Sequence, residues 1–300
     1  MEYVLRKMVL DSVPVIDISE SNFKAYKEAQ KVIISCLSIE EIYEILITNY
    51  LDLEKQILDT TTSYMVRSFI DIFDFADVRI SLNNRLMNLL TSAKLYEDQL
   101  HRRVKSCVPD LEDVKSIIKS YFSREFDNHP EYRFMYALRN YAQHHGIPVH
   151  RFSSSGTRIE NGADSLLEYS MEYAAQKDLL EEDKEFNKKV LSEIQDRVDL
   201  KTATRCYIEC ISNVHESARS LIKENVQSSR NLFEEAQNRY RQVYSETLVG
   251  LSACKVDGAK VVESVSLSLD WDDVRIKLQK RNPKLVNLRK RYVTGKVEKS

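Results

Sequence analysis

A chain of 300 residues with only six glycines and five prolines has few places at which to turn. Sheet-rich folds use such residues at every hairpin, so their scarcity predicts long helices joined by short connections. The apolar spacing agrees. Helical periodicity starts near Ser21 and is strong from Ser38, where Ser38 and Glu41 form a capping box ahead of SIEEIYEILITNYLDLEKQIL. TTTS at 60–63 is expected to weaken or end that helix. Residues 81–104 carry an apolar stripe through Leu82, Leu86, Leu89, Leu90, Ala93 and Leu100. Pro109 and Asp110 begin a further helix to about Arg124, and DNHP at 127–130 is a turn capped by Asp127, Asn128 or His129.

Beyond Pro148 the texture changes. Alternating residues on both sides of Asn161-Gly162 predict a β-hairpin. Helix returns from Asp183, and Asp199 caps a much longer helix to about Tyr244, with Tyr207, Ile211, Val214, Ala218 and Leu221 as its packing seam. Lys260–Leu269 alternates like a strand able to join the hairpin, and Asp270 caps a short helix after it. VPVIDIS near the N-terminus reads as a short edge strand, and SYMVRSFIDIFDFADV as either helix or buried extended chain. The expected fold is mainly α. A helical bundle with an irregular N-terminal segment fills residues 1–150, and a small β-hairpin and a long helical hairpin fill 151–300.

A formal charge of −2 argues against a protein that coats nucleic acid or membrane through its overall field. The C-terminal stretch 274–300 is the local exception, with ten Lys or Arg against Glu298 alone. It is either a grip for RNA phosphates or, as charge runs usually are, a solvated or flexible tail. Five scattered cysteines do not make a disulfide framework and suit a reducing cytosol. Neither a signal peptide nor a run of about 18 apolar residues is present, so the expected location is cytoplasmic, without a membrane partner.

Chemically useful side chains concentrate in Glu131–His150, EYRFMYALRNYAQHHGIPVH. On a helix, Asn140 and His144 share a face with Tyr136 one turn earlier, while Arg139 flanks them. Phe134, Leu138, Tyr141 and Ala142 lean to the core side. Gly146 is a good residue just past the helix end, and Pro148 cannot continue the helix. Histidine near neutrality can take and give protons, and arginine can hold a phosphate through two parallel hydrogen bonds. Asparagine can fix an imidazole tautomer or a substrate oxygen. These are the parts for cleaving a phosphodiester without metal.

Arg139-Asn140-Tyr141-Ala142-Gln143-His144 resembles the R-x4-6-H signature of the HEPN superfamily, in the form with a polar residue after the arginine. N-R-L-x-N-x-L-x-S followed by F-x-Y-x-L-R-N-Y-A-Q-H is also similar to a set of uncharacterised bacterial proteins of about this length. The resemblance spans roughly residues 38–150 and implies a HEPN-like helical bundle. It also implies a ribonuclease of a toxin–antitoxin or antiviral defence module, active as a homodimer pairing two motifs in one cleft. Under it, Arg139 holds the scissile phosphate, His144 transfers protons and Asn140 orients them. His145 can substitute for or assist His144. Adenylylation-regulated members carry a tyrosine two residues after the histidine, where this chain has Gly146, so that control is not expected.

Arg85, Asn88 and Ser92 form a second polar line, which the resemblance places in the same bundle. By composition alone it is either a solvated face or a polar seam that is buried or faces a ligand, where these residues and Tyr136 could assist the site. Arg124–His129 repeats the R-x4-H spacing but has Glu125 after the arginine and crosses the DNHP turn, so it is set aside. Cys206 and Cys210 lie one helical turn apart with His215 further on. Zinc would want a fourth ligand and better spacing, so no metal and no cofactor is expected. Trp271 is expected to anchor packing. The competing class is a non-catalytic helical module that binds a nucleotide or a partner protein, such as an antitoxin.

Overall fold

Helix α1 (Glu20–Val66) runs through 47 residues without a break. In this computed structural model, which describes residues 1–8, 14–67, 72–161, 164–244, 247–258 and 260–294, it spans two positions expected to interrupt it. Ser38 is not a cap. Cys36, Leu37, Ile39, Ile42 and Tyr43 are all buried around it, and that packing carries the helix straight past the capping-box residues. Nor do the threonines stop it. Thr61 and Thr62 turn their hydroxyls back to the carbonyls of Ile57 (2.7 Å) and Leu58 (2.8 Å), so they satisfy themselves inside the helix.

The described residues hold eight α-helices and two small antiparallel sheets, a mainly α protein. Helix α2 spans Ile72–Cys107, α3 Val114–Asn128, α4 Pro130–His144, and α7 Leu200–Tyr244. Residues 68–71, within the segment read as helix or strand, lie outside the described residues, and both flanks are helical. Helix α3 starts four residues after Asp110. The Lys105 ammonium instead holds the 109–111 turn, donating to the carbonyls of Pro109 and Leu111 (both 2.8 Å). No helix among the described residues is long and apolar enough to cross a membrane.

Two compact units draw on interleaved segments: Met1–Glu44, Asp98–Lys119 and Glu216–Pro283 in the first, Ile45–Glu97, Ser120–His215 and Lys284–Ser300 in the second. The expected division at residue 150 falls inside the second unit.

In the first unit, β1 (Glu2–Lys7), β2 (Ile16–Asp17), β6 (Leu251–Asp257) and β7 (Lys260–Ser266) form one sheet in the order β2-β1-β6-β7. Strand β2 is the edge strand expected within VPVIDIS. Its chain is tied down by Tyr240 and Tyr244, which donate to the carbonyls of Pro14 and Val15 (both 3.0 Å). Strand β7 pairs with β6, not with the 151–176 hairpin, because the tight turn at Gly258 (φ 57°) returns the chain directly. Leu5, Phe23, Tyr26, Phe233, Tyr240, Ala253 and Val265 make the core beneath this sheet.

Charges are also buried here. Arg219 forks onto Glu40, Nε to Oε1 at 2.9 Å and Nη2 to Oε2 at 2.6 Å. On α8 (Asp270–Arg281), Asp272 accepts from Arg275 (2.5 and 3.1 Å) and from Arg230 of α7 (2.6 Å). Asp270 is the first helical residue rather than the cap, and Trp271 on the same turn is 61% exposed, so it does not anchor packing.

In the second unit, β3 (Arg151–Asn161) and β4 (Asp164–Gln176) form the expected hairpin, paired from Arg151↔Ala174 to Asn161↔Asp164. Its Gly162 turn lies outside the described residues. Strand β5 (Arg197–Asp199) joins β4, so 183–199 is not one helix. It holds only α6 (Lys188–Glu193) before β5. Asp199 does cap α7, accepting from the amides of Lys201 (3.1 Å) and Thr202 (3.2 Å). The basic tail is pinned in part through its backbone. Glu209 accepts from the amides of Asn287 and Leu288 (3.0 and 2.9 Å), and Arg205 donates to the carbonyl of Arg291 (2.6 Å).

Burial pushes the Asp272 carboxyl up, but the bonds from Arg275 and Arg230 outweigh it and hold the group below the ordinary aspartate value of 3.8. Its folded-state pKa is depressed. The stabilisation is therefore complete above the unfolded value and is lost as pH falls through the folded one. We expect Asp272→Asn to destabilise by about 3 kcal/mol at pH 7 in chemical denaturation, because it leaves two guanidinium groups short of a charge. The gap to wild type should close as pH drops below the usual aspartate range.

Candidate functional site

Helix α4 presents two different faces. Tyr132, Phe134, Met135 and Leu138 are buried, and Pro130 starts the helix at a position where its missing amide costs nothing. His129 is the N-cap but makes no side-chain cap bond. Arg133 instead caps the end of α3, its Nη1 donating to the carbonyls of Phe126 (2.7 Å) and Asp127 (3.0 Å) while Nε meets Glu193 (2.9 Å).

The opposite face of α4 borders a cavity of about 510 Å³. Tyr136, Asn140 and His144 line it, as do Tyr141 and His145, and Asp183, Glu185 and Phe186 face them from the other wall. The row Tyr136, Asn140 and His144 is thus brought together, with Asn140 and His144 exposed. Arg139 is not among the lining residues. Its Nη1 donates to Gln143 Oε1 (3.0 Å), and the guanidinium lies 5.6 Å from the centre of the Tyr136 ring. The arginine sits beside the row, held by a neutral amide and an aromatic face.

The second polar line does not join this cavity. Ser92 is buried and returns its hydroxyl to the Leu89 carbonyl (2.9 Å), Arg85 is half-buried, and Asn88 is exposed with Asn84 as its neighbour (3.4 Å). The polar residue of α2 that matters structurally is Asn83. It gives to the Val149 carbonyl (3.3 Å) and takes from the Val149 amide (2.8 Å), as a neighbouring strand would.

His145 carries the most developed proton-handling geometry. Its Nε2 is 3.2 Å from Asp183 Oδ1 and 3.8 Å from Glu185 Oε2, and the Asp183 side chain is buried. Its ring stacks on Tyr141, with 17° between planes and 6.2 Å between centres. Burial first, then the charges of Asp183 and Glu182, push the Tyr141 phenol above its ordinary value, so it remains a neutral hydrogen-bonding group. Asp183 and Glu185 read in sequence as a solvated helix start. Nothing local signals that they oppose a histidine, since the pairing is made by the chain's return after the hairpin.

Two contacts fix how the helix ends. Gly146 has no left-handed backbone, which among the described glycines belongs to Gly250 and Gly258. It is needed instead for close approach, since a Cβ there would lie 2.8 Å from Tyr141 Oη. His150 accepts the Gln176 amide on Nδ1 (3.0 Å), which places its proton on Nε2, 3.3 Å from Tyr141 Oη.

Burial, its largest influence, holds the His150 imidazole below the ordinary value of 6.5, and the Arg79 charge adds to this against the Gln176 contact. We expect nitrogen-detected NMR titration to show His150 as the Nε2–H tautomer, protonating only below the range of exposed histidine. The depressed folded pKa makes this group favour folding above pH ~6.5, with stability declining as the unfolded chain takes up the proton below it. Gly146→Ala should displace the Tyr141 ring and perturb the His150 resonances, at a stability cost of about 1 kcal/mol.

No protein-family model, curated protein or solved structure matches this chain.

Proposed function

We propose that Arg139, Asn140 and His144 form half of a metal-independent RNA-cleaving site of the HEPN kind, completed by the same helix of a second copy. One observation carries this reading: Asn140 and His144 are exposed along one face of a helix whose other face is locked into the core. Such a face is rigid and accessible, as a site built on two opposed helices requires. Arg139 is one residue from Asn140, and release from Gln143 forfeits a single neutral-acceptor hydrogen bond, worth about 1 kcal/mol net. A scissile phosphate offers it a stronger, bidentate partner.

In this mechanism a histidine takes the proton of the ribose 2′-hydroxyl, and the resulting oxygen attacks the adjacent phosphorus. Arg139 balances charge on the non-bridging oxygens, and an imidazolium gives a proton to the departing 5′-oxygen, leaving a 2′,3′-cyclic phosphate. His145, supported by Asp183 at 3.2 Å, is the better-positioned base, and exposed His144 the better-placed donor to a leaving group.

A second reading rests on the carboxylates. Asp183 and Glu185 make one wall of the cavity acidic, which disfavours a polyanion and suits a cationic side chain of a partner protein. The two readings separate in a single assay on full-length protein incubated with RNA and a chelator. We expect cleavage to cyclic-phosphate ends, lowered by about two orders of magnitude or more in His144→Ala and in Arg139→Ala, with melting temperature unchanged. Intact RNA alongside a lower-melting His144→Ala variant would leave the partner-binding reading. His145→Ala ranks the two histidines.

A further inference from the structure

The histidine beside Cys206 and Cys210 is not His215, which is buried with its Nδ1 2.9 Å from the Tyr96 hydroxyl. It is His129, from the turn between α3 and α4. The candidate ligand atoms of His129, Cys206 and Cys210 all lie within 4.8 Å of one another. A tetrahedral zinc ion with sulfur at ~2.3 Å and nitrogen at ~2.0 Å needs ligand separations of about 3.5–4 Å. Small side-chain rotations close that difference.

The surroundings are those of a built site. Both thiols are buried, at 2% and 1% exposure, on successive turns of α7 and pointing the same way. Tyr207 between them is fixed against Tyr132, ring centres 4.9 Å apart, so the thiol-bearing turn is rigid. Two carboxylates reach the group. Glu131 Oε2 is 3.7 Å from Cys206 Sγ, but its other oxygen is engaged by Arg289 at 3.0 Å. The Glu125 side chain is only 6% exposed, and its Oε1 is met by Arg124 Nε more loosely, at 3.5 Å. Its Oε2 lies 3.6 Å from His129 Nε2 and takes a bond from Asn213 at 3.2 Å. It also faces Cys210. His129 keeps 35% of its side chain exposed and so provides the route in from solvent.

We propose that His129, Cys206, Cys210 and Glu125 bind a zinc ion. Two thiolates and an imidazole select a borderline-soft cation over magnesium or calcium, and a fourth protein ligand makes the site closed and structural. The ion ties the α3–α4 turn to α7 and fixes where α4 begins, independently of whether α4 acts on RNA. It also explains an N-cap that does no capping: the His129 side chain is turned to the thiols.

The test uses full-length protein, purified under a non-chelating reductant from zinc-supplemented medium. Elemental analysis should find about one zinc per chain. Cobalt(II) titrated into the stripped protein should give a thiolate-to-cobalt charge-transfer band with intense tetrahedral ligand-field bands. The Cys206→Ser, Cys210→Ser double variant should lose both signals, while Cys254→Ser, a buried thiol on β6, should keep them. Glu125→Gln should weaken cobalt binding by about tenfold or more. Wild type without the thiolate band overturns the site whatever the variants do, as does equal metal content in the double variant confirmed folded by circular dichroism. Unchanged affinity in Glu125→Gln overturns the carboxylate's part.

Discussion

Glu40 is a carboxylate with no exposed surface in the middle of a 47-residue helix, and the chain around it is arranged to answer that charge. Arg219 of α7 supplies a forked pair of bonds, Gln279 of α8 adds a third, and Arg219 reaches on to the Asn282 carbonyl. A lone buried carboxylate would cost several kcal/mol, so α1, α7 and α8 can dock only where these groups meet. Apolar helices slide past one another at little penalty, whereas a buried charge accepts one register. The second unit repeats the device with Glu54 and Arg205, forked at 2.7 and 2.8 Å. Long amphipathic helices with few turns need such locks.

The cavity beside α4 shows the same logic at smaller scale. Its helix is anchored by Phe134, Met135 and Leu138, and its wall is completed by residues that arrive after the hairpin. Arg133, which by type could serve a phosphate, is consumed in capping α3 and pairing Glu193. Arg139, which does not line this cavity, is met by a neutral amide and an aromatic ring. Residue type alone does not rank two arginines six positions apart. Their partners do.

Helix content, the hairpin and the Asp199 cap were legible because each has a local cause: spacing, a turn pair, a side-chain oxygen. The Tyr136–Asn140–His144 row was legible for the same reason, since a helix makes four-residue spacing into adjacency. What escaped was set by tertiary contact. The Ser38 capping signature lost to burial on both sides of it, and the threonines after Asp59 bonded inward. The cavity's acidic wall, Asn83 as a mimic of strand pairing, and His129 as the neighbour of Cys206 all join residues far apart in the chain. His129 is instructive, because it belongs to the R-x4-H segment set aside for crossing a turn. That turn is what delivers it to α7.

The His150 contacts reach further than their position suggests. With Nδ1 occupied by the Gln176 amide, the imidazole presents a donor to Tyr141 Oη, and that oxygen must accept. The phenolic hydrogen is then released from the protein side and free to swing toward the cavity that Tyr141 borders. A backbone amide at the end of β4 thereby sets the polarity of a hydroxyl it never touches. Whatever enters beside Tyr141 meets a group poised to give a proton contact rather than receive one, an orientation imposed from behind the wall.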